Sequence, residues 1–235
     1  MLSNLPKHLG IIPDGNRRWA KLRNLKPWKG HEEGLKRIED IIQWCQEFGI
    51  KMITIYVLST ENLSRPPSEV TFLLGILKRK LNSMLEKDSD VMKKEVRVRV
   101  LGKKDSLSKD MQSLISKLEE ATKKHSDYYL NLAIAYCGRE EILEATRKIA
   151  KKVKEGKLSL AEINESIFSS NLYAQLPDVD LIIRTSEQRV SGFMTWQSTY
   201  SEMIFLEDKL FPELTKDDFV KVLEEFSNRQ RRFGK

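Results

Sequence analysis

Cysteine is scarce in this sequence: the chain of 235 residues contains two, Cys45 and Cys137, and both lie in apolar segments. Two isolated cysteines cannot build a disulfide framework or a metal cluster, so we predict small buried side chains in a reducing compartment. Long apolar runs are absent as well. No run approaches the ~18 residues of a membrane-spanning helix, and residues 1–8 lack the apolar centre of a signal peptide. The composition therefore predicts a soluble, cytoplasmic protein.

Motifs for nucleotide and zinc chemistry are also missing. The patterns GxxxxGK[ST], GxGxxG and HExxH do not occur, which disfavours P-loop, dinucleotide-binding and zinc-protease functions. The net charge is +7, but 41 basic residues are interleaved with 34 acidic ones and long like-charge blocks are absent. We therefore predict no nucleic-acid partner, and a peripheral contact with anionic membrane surfaces as a weaker use of the charge.

Apolar runs and helical periodicity alternate along the chain. Strands are predicted at 8–13, 51–58, 95–101, 128–136, 179–183 and 203–206. Between them, apolar residues recur at helical spacing, for example over 35–48 and 111–118, and Ser108 is placed to cap the second of these helices. This alternation predicts one α/β domain over residues 1–235, with a mostly parallel central sheet of about six strands flanked by helices.

The most informative stretch follows the first predicted strand and reads Asp14-Gly15-Asn16-Arg17-Arg18-Trp19. Gly15 allows the backbone to approach a ligand closely, and the N–H groups that open a following helix are free to bind an anion. Arg17 and Arg18 add charge-assisted hydrogen bonds to phosphate oxygens, and Asp14 can hold Mg²⁺ together with substrate phosphates. These residue types predict a site for a metal-bound diphosphate. A surface turn with solvated arginines is the alternative.

A second cluster lies at the end of the predicted strand 179–183. Arg184 occupies the strand end, where ligands collect in open α/β sheets, and Arg189 and Ser191 follow in a loop. Two arginines and a hydroxyl group within eight residues suit a second diphosphate. Glu202 adds a carboxylate in a stretch of otherwise uncharged residues. Surface ion pairs are the alternative interpretation of this cluster.

Five sequence blocks, in order, resemble the cis-prenyltransferases, the isoprenyl transferase family of undecaprenyl and dehydrodolichyl diphosphate synthases. The blocks are HLGIIPDGNRRWA, YVLSTENLSRP, LNLAIAYCGREEI, DLIIRTSEQRVSGFMTWQSTYSEMIF and NRQRRFGK. The resemblance runs nearly end to end, and the stretch 26–29 resembles archaeal-type members. It implies a polyprenyl diphosphate synthase that condenses isopentenyl diphosphate successively onto a C15 or C20 allylic diphosphate. The product would be a long-chain Z-polyprenyl diphosphate, with diphosphate released at each step.

The resemblance also implies roles for individual residues. Asp14 would hold Mg²⁺ and assist departure of the diphosphate, with Glu202 as a second metal-binding carboxylate. Asn62 and His31 would act as catalytic residues beside the reacting carbons and the leaving diphosphate. The allylic diphosphate would be bound by Gly15, Asn16, Arg17, Arg18 and Trp19, with Ser59 and Arg65 completing the pocket wall. Isopentenyl diphosphate would be bound by Arg184, Arg189 and Ser191.

The family further implies a homodimer, in which an Arg-x-Gly tail at 232–234 reaches into the partner's site. A non-catalytic or weakly active subunit of a heteromeric enzyme is the alternative. Such subunits tend to lose the Asp-Gly-Asn-Arg block, which is intact here, so we favour an active enzyme. All-helical trans-prenyl synthases need Asp-Asp-x-x-Asp motifs, whereas the one adjacent aspartate pair, Asp217-Asp218, is followed by Phe-Val-Lys.

Segment 66–87 is apolar on more than one side, so we predict a helix that is buried on more than one side. The resemblance adds a hydrophobic tunnel for the growing chain, in which each buried CH₂ contributes ~0.8 kcal/mol to retention. Val57 is placed near the floor of this tunnel, and its size is predicted to set product length.

The chain departs from the family pattern at several positions, among them Gly192, where the family often has Asn, and Leu63, where it often has an aromatic residue. The loop after Arg184 is one residue short, which makes the placement of Arg189 less certain from sequence. Pro27 stands where the family often has an arginine, and Lys26 or Lys29 would supply the charge there as a point charge rather than a fork.

Overall fold

Six strands form the centre of the molecule, within the residues 4–229 that the computed structural model describes. In chain order they are β1 (His8–Ile12), β2 (Met52–Ser59), β3 (Val96–Leu101), β4 (Tyr128–Tyr136), β5 (Leu181–Thr185) and β6 (Glu202–Leu206). They form one sheet in the order β3-β4-β2-β1-β5-β6, and every neighbouring pair is parallel. The predicted α/β class and six-stranded sheet are confirmed.

Parallel pairing requires crossover connections, and helices lie in those that lead to β2, β3, β4 and β5, whereas the last helix follows β6. The helices are α1 (Asn16–Leu22), α2 (Pro27–Glu47), α3 (Pro67–Met84), α4 (Asp90–Lys93), α5 (Lys109–Thr122), α6 (Gly138–Lys154), α7 (Glu165–Ser170) and α8 (Lys216–Asn228). As predicted, the Ser108 hydroxyl caps α5, where it accepts the Met111 N–H at 3.3 Å. None of the helices in the described range is both long and apolar enough to cross a membrane.

The strand bounds agree with the predicted ones to within two residues, and β5 shows why they shift. The prediction began this strand at Val179, but β5 begins at Leu181. The intervening Asp180 turns its carboxylate back to β1, where Oδ2 accepts the backbone N–H groups of Lys7 at 2.8 Å and His8 at 3.0 Å. Asp180 therefore joins the starts of two strands and has no place at the opposite edge, where the candidate site lies.

Apolar side chains cover both faces of the sheet. Strands β1 and β5 are buried at every residue, as expected for central parallel strands. The larger core cluster packs α2, α3, α5 and α8 against one face, and the smaller one includes Tyr56, Tyr136 and Phe193 on the other. Cys45 is fully buried in the larger cluster and Cys137 is half-buried; both are free thiols. The prediction of a small buried side chain thus holds for Cys45, whereas Cys137 is less buried than predicted.

The predicted apolar segment 66–87 forms α3, which packs beside α2. Ile76, Leu77 and Leu81 are buried, and Leu73 and Leu74 are half-buried against the core. Off the main stripe, the Phe72 ring lies 5.5 Å from the ring of Trp28 in the first turn of α2. The helix therefore has apolar contacts on more than one side, as its sequence predicts.

Strand order also determines where a ligand can bind. The strand β1 has β2 on one side and β5 on the other, so the connections that leave β1 and β5 diverge at the carboxyl edge of the sheet. Such a switch point opens a crevice in parallel sheets. Ile12 pairs with Arg184 in the β1–β5 register, which brings the two predicted clusters together at this edge.

Candidate active site

Three adjoining cavities lie at the carboxyl edge of the sheet, and Arg65 lines all three. The first polar cavity, of about 640 Å³, lies between the segments that follow β2, β4 and β5. The second polar cavity, of about 710 Å³, is formed by α1, the start of α2 and Asp14. The apolar cavity, of about 120 Å³, lies between α2, α3 and the end of β2. Because Asp14 lines both polar cavities, ligands in the two would be neighbours.

Arg184 lines the first polar cavity and is only 4% exposed. Its Nη2 donates to Oδ2 of Asp14 at 2.7 Å, and its Nη1 donates to Oγ of Ser191 at 2.8 Å and to the backbone oxygen of Arg189. A buried guanidinium held by three acceptors is fixed in position before a ligand arrives. The structure therefore places the predicted residues Arg184, Ser191 and Asp14 in one contact network.

Glu187 links the two polar cavities. Its carboxylate lies 2.7 Å from Nη1 of Arg189, which lines the first cavity, and 3.1 Å from Nη2 of Arg18, which lines the second. The shortened loop closes as a tight turn, in which Ser186 has a φ of 71° and the Glu187 N–H donates to the Thr185 oxygen at 3.0 Å. The loop is one residue shorter than the family pattern, and the tight turn closes it so that Arg189 still lines the first polar cavity.

The turn after β1 orients the Asp14 carboxylate. The Gly15 N–H donates to Oδ1 of Asp14 at 2.6 Å, and the Thr185 hydroxyl donates to the Asp14 backbone oxygen at 2.7 Å. Gly15 has a φ of 97°, and a Cβ there would collide with the Ser186 hydroxyl. Only glycine can adopt this positive φ and also leave room for the Ser186 hydroxyl without strain. The Asp14 side chain remains 35% exposed to the cavities.

A buried carboxylate, Glu69 of α3, holds several predicted residues together. Its Oε1 lies 3.2 Å from Nη1 of Arg65, 3.6 Å from Nε of Arg17 and 3.9 Å from Nε2 of His31. Burial, followed by the charges of Arg65 and Arg17, lowers the pKa of His31 to about 4. His31 is therefore neutral near pH 7, and the cluster carries a net positive charge from its two arginines and one carboxylate.

Three buried polar atoms around the cavities lack hydrogen-bond partners within residues 4–229: Oδ1 of Asn16, Nε2 of His31 and Nε of Arg184. Buried polar atoms are normally paired, because leaving one unpaired is destabilising by about 1–3 kcal/mol. Asn16 and His31 line both the second polar cavity and the apolar cavity. Unpaired atoms at this junction indicate that a polar ligand completes their hydrogen bonding.

Ser59 and Asn62 form the loop that follows β2. The Ser59 N–H donates to Oδ1 of Asn62 at 3.2 Å, and the Asn62 N–H donates to Oγ of Ser59 at 3.2 Å. This reciprocal pair fixes the Asn62 amide and leaves its NH₂ group free to act as a donor. Asn62 lines the first polar cavity and the apolar cavity, so it lies where a polar and an apolar part of two ligands would meet.

Comparisons with known proteins agree with this geometry. A prenyltransferase family model, described as undecaprenyl diphosphate synthase, matches residues 12–234. The chain belongs to this family. A tritrans,polycis-undecaprenyl-diphosphate synthase (geranylgeranyl-diphosphate specific) of Pyrococcus abyssi is 44% identical over 233 residues, 98% of this chain and 88% of that protein. An isoprenyl transferase of Thermus thermophilus is 43% identical over 237 residues, 98% of this chain and 89% of that protein.

Two solved structures extend the likeness to the whole fold. Lavandulyl diphosphate synthase from Lavandula x intermedia, in complex with dimethylallyl diphosphate, superposes with a TM-score of 0.91 at 36% identity, covering 98% of this chain and 99% of that one. A probable undecaprenyl diphosphate synthase from Campylobacter jejuni gives a TM-score of 0.80 at 37% identity, covering 99% of this chain and 100% of that one. The comparisons thereby confirm the prediction that the chain belongs to the cis-prenyltransferase family.

Two residues that the resemblance assigns to the site, Glu202 and Trp19, do not line the three cavities. Glu202 begins β6 and pairs with Leu181, level with Leu9 of β1, whereas Asp14 lies beyond the far end of that strand. Leu9 and Ile12 alone are ~10 Å apart, so Glu202 cannot share a metal with Asp14 of the same chain. It pairs instead with Arg229 at 2.7 Å.

Trp19 is the second predicted residue that does not line these cavities. The three cavities are not lined by its ring, which lies 4.4 Å beneath the Arg23 guanidinium. The ring is thus covered by a residue one turn further along the chain, and its role in ligand binding stays a prediction. The predicted Arg-x-Gly tail at 232–234 lies outside the described residues.

Glu69 and Arg139 are site residues that the sequence did not reveal. Arg139 lies in the first turn of α6, shortly after the end of β4, and lines the first polar cavity with Arg184 and Arg189. Its position after a strand in the block LNLAIAYCGREEI was an available signal, the same one that identified Arg184. Glu69 stands four residues after Arg65, which suggests a helical ion pair, but its contacts with Arg17 and His31 depend on helix packing.

The carboxylates that line the first polar cavity are Asp14 and Glu61. Although burial raises it, hydrogen bonds from its own backbone and from neighbouring side chains hold the pKa of Glu61 below its usual range, so the group is ionised near pH 7. Residues 4–229 contain no group of three or more His, Cys, Asp or Glu side chains that could hold a metal. The donor set therefore fits a Mg²⁺ ion held by one or two carboxylates and by substrate phosphates, and it does not fit a protein-only metal cage.

Proposed function

We propose that this protein is an active cis-prenyltransferase that extends an allylic diphosphate with successive isopentenyl diphosphate units and releases diphosphate at each step. The observation that carries the proposal is the joining of two arginine-lined polar cavities at Asp14, beside an apolar cavity. Two diphosphates and one hydrocarbon chain are the ligands that such an arrangement suits. The relatives specific for geranylgeranyl diphosphate favour a C20 starter over a C15 starter.

The second polar cavity suits the allylic diphosphate. It contains Arg17 and Arg18, and it adjoins the apolar cavity through Asn16 and His31. A diphosphate placed beside these arginines would leave its prenyl tail directed between α2 and α3. The first polar cavity suits isopentenyl diphosphate, because Arg184, Arg189 and Ser191 supply donors there. Asn62 would then lie between the reacting ends of the two substrates.

The chemistry follows from these positions. As the allylic C–O bond breaks, negative charge grows on the departing diphosphate, and Arg17 and Arg18 stabilise it where it develops. The double bond of isopentenyl diphosphate supplies the electron pair for the new C–C bond through its terminal carbon C4, which leaves positive charge on C3. A proton then leaves C2, and its C–H electron pair forms the new C2=C3 double bond. Neutral His31 and the Asn62 amide can orient the groups, and the released diphosphate is an acceptor for the proton.

Mg²⁺ fits the residues present and is part of this proposal. Asp14 would hold it, with Glu61 as a neighbouring carboxylate and the substrate phosphates as the remaining ligands. When bound, Mg²⁺ neutralises charge on the leaving diphosphate. Asp14 accepts a hydrogen bond from Arg184 on one oxygen and from the Gly15 N–H on the other. These bonds keep its carboxylate oriented toward both polar cavities.

The growing chain would lie in the groove between α2 and α3. The apolar cavity occupies one end of this groove, and a separate cavity of about 360 Å³, lined in part by Ile42, Met84 and Val96, occupies the other. A tunnel would form as the chain grows and the helices part, since burial of each further CH₂ contributes ~0.8 kcal/mol. Val57 lines the apolar cavity and would limit the chain there.

A homodimer is also proposed, because Glu202 can approach a metal held by Asp14 only from a second copy of the chain. The tail at 232–234 would enter the partner's site in the same assembly. A peripheral contact with a membrane surface would serve release of the long apolar product.

A product assay tests the proposed function directly. Purified protein is mixed with Mg²⁺, labelled isopentenyl diphosphate and each of the C10, C15 and C20 allylic starters in turn, and the extracted lipids are sized. We expect a ladder that ends at a defined length, with the C20 starter preferred. Asp14→Asn should abolish the ladder, and because it removes the charged partner of the buried Arg184, circular dichroism must show that the variant is still folded. Absence of product with every starter, with detergent present, would contradict activity and favour the heteromeric-subunit alternative.

A further inference from the structure

The turn between α1 and α2 exposes large apolar side chains. Leu22 is 72% exposed and Leu25 is 44% exposed, and every residue over 21–26 is exposed. Single exposed leucines are common on protein surfaces and need no explanation. Two within four residues, next to an active-site cavity, are a different case, because Leu25 itself lines the second polar cavity.

The segment that contains this turn is strongly basic. Residues 15–31 contain six lysines and arginines and no acidic residues. Four of the six have carboxylate partners elsewhere in the chain, as the pairs of Arg23 with Glu213 and Lys29 with Glu32 illustrate. Lys21 and Lys26 have no ion pair with any residue in the range 4–229. The turn thus combines exposed apolar groups with uncompensated positive charge, whereas an ordinary solvated surface mixes both signs.

Aromatic rings extend this surface onto the two helices that enclose the apolar cavity. Trp28 follows the turn in the first helical residues of α2, and its ring lies 5.5 Å from that of Phe72 in α3. Both rings are half-buried. Next to Phe72, Leu73 and Leu74 line the apolar cavity. Basic residues with leucine and tryptophan on one surface are typical of segments that lie at a membrane interface.

We propose that this surface, made of Lys21, Leu22, Leu25, Lys26, Trp28 and Phe72, docks on a bilayer that contains anionic lipids. The leucines and Trp28 would enter the boundary between headgroups and acyl chains, and the lysines would face the anionic headgroups. Docking brings the mouth of the second polar cavity to the headgroups and the α2–α3 groove to the acyl layer. The benefit to product release rests on the proposed function, whereas the docking itself needs no substrate.

Leu160 provides a matched control for the apolar contribution. It is 75% exposed, slightly more than Leu22, and it lies in the one-turn helix Leu160–Glu162, near Glu165. It therefore offers the same side chain and exposure in acidic surroundings. If exposure alone led to lipid binding, Leu160 would contribute as much as Leu22.

The experiment is co-flotation of the full chain, without substrates, with vesicles of phosphatidylcholine alone and of an equal mixture with phosphatidylglycerol. We expect binding to the anionic vesicles only, weakened by added salt because the lysine contacts are screened. Leu22→Glu should weaken binding by about tenfold, since it removes apolar area and adds a negative charge, and Leu160→Glu should not. Neither residue lines a cavity, so both variants should keep wild-type prenyl transfer in detergent, which separates this test from that of the proposed function.

Three outcomes would overturn the proposal. The first is wild-type protein that floats with neither vesicle, and the second is equal flotation with both. The third is equal weakening by Leu22→Glu and Leu160→Glu, which would place the contact elsewhere or make it unspecific. Retained prenyl transfer together with any of these would reject the membrane contact and leave the enzymatic function standing.

Discussion

Replacing Gly34 of α2 by alanine should reduce catalysis sharply while changing stability little. A Cβ at Gly34 would overlap Oδ1 of Asn16 and lie 3.0 Å from its Cγ. The Asn16 amide is held on its other side, where Nδ2 donates to the Pro13 oxygen at 2.9 Å. The added methyl group must therefore push this amide away from the junction of the second polar cavity and the apolar cavity.

Two other helical glycines calibrate the size of the effect. Gly75 of α3 has only Arg79 Nη1 within reach of an added Cβ, at 3.9 Å, so Gly75→Ala should stabilise the protein by ~0.5–1 kcal/mol through helix propensity alone. Gly34→Ala gains the same amount but adds ~1–3 kcal/mol of overpacking, which gives a net loss of ~0–2 kcal/mol. At Gly30, a Cβ would collide with the backbone oxygen of Asn16, which cannot rotate away, so Gly30→Ala should lose more.

The measurements are thermal unfolding and steady-state prenyl transfer for the three variants. A displacement of the Asn16 amide by ~1 Å should lower kcat/KM for Gly34→Ala by ~100-fold, and Gly75→Ala should keep wild-type kinetics with a midpoint raised by ~1–4 °C. Wild-type kinetics in Gly34→Ala would show that the Asn16 amide has no part in the reaction. Equal kinetic losses in Gly34→Ala and Gly75→Ala would show that the effect is not local.

Three further predictions concern other walls of the site. Val57→Ala should lengthen the products and Val57→Trp should shorten them, because Val57 lines the apolar cavity; unchanged lengths in both would reject its role. Arg189→Ala should raise KM for isopentenyl diphosphate by about tenfold or more with little change for the allylic substrate, whereas Arg147→Ala, on the exposed face of α6, should change neither. Because the pKa of His31 is lowered from 6.5 to about 4, the unfolded chain binds the proton first as pH falls. Stability should drop between these values by at most ~3 kcal/mol, and denaturant titrations of His31→Asn should show a smaller drop.

Much of this site could be predicted because its residues follow buried strands. The strands β1 and β5 are buried on both faces, so they appear in the sequence as apolar runs, and Asp14 and Arg184 stand at or just beyond their ends. Parallel strands bring such positions to one edge of a sheet. No tertiary contact needs to be known for that inference, only strand direction and sequence order.

Glu69 and Glu202 show where this reasoning stops. Glu69 receives its environment from α1 and α2, and the angle at which these helices pack on α3 is not encoded in any local pattern. Glu202 presents the opposite case. Its position at the start of β6 places it at the wrong edge for Asp14, and strand direction alone would have shown this. Its metal role came from family resemblance, which does not distinguish a residue of the same chain from one of a partner.

The arginines of the two polar cavities differ in how firmly they are held, and this difference has a catalytic consequence. Arg18 and Arg189 are about half-exposed or more and pair with the partly exposed Glu187. Exposed pairs of this kind are worth about 0–1 kcal/mol, so an arriving diphosphate can replace this carboxylate at little cost. Arg17 is also half-exposed, and its 3.6 Å contact is with the buried Glu69, which keeps Arg65 as a nearer partner at 3.2 Å. Arg184 is buried and held by Asp14, Ser191 and the Arg189 backbone, and it cannot turn away without leaving these groups unpaired. One fixed guanidinium therefore sets the position of the first polar cavity's ligand, and the mobile ones neutralise charge as it develops.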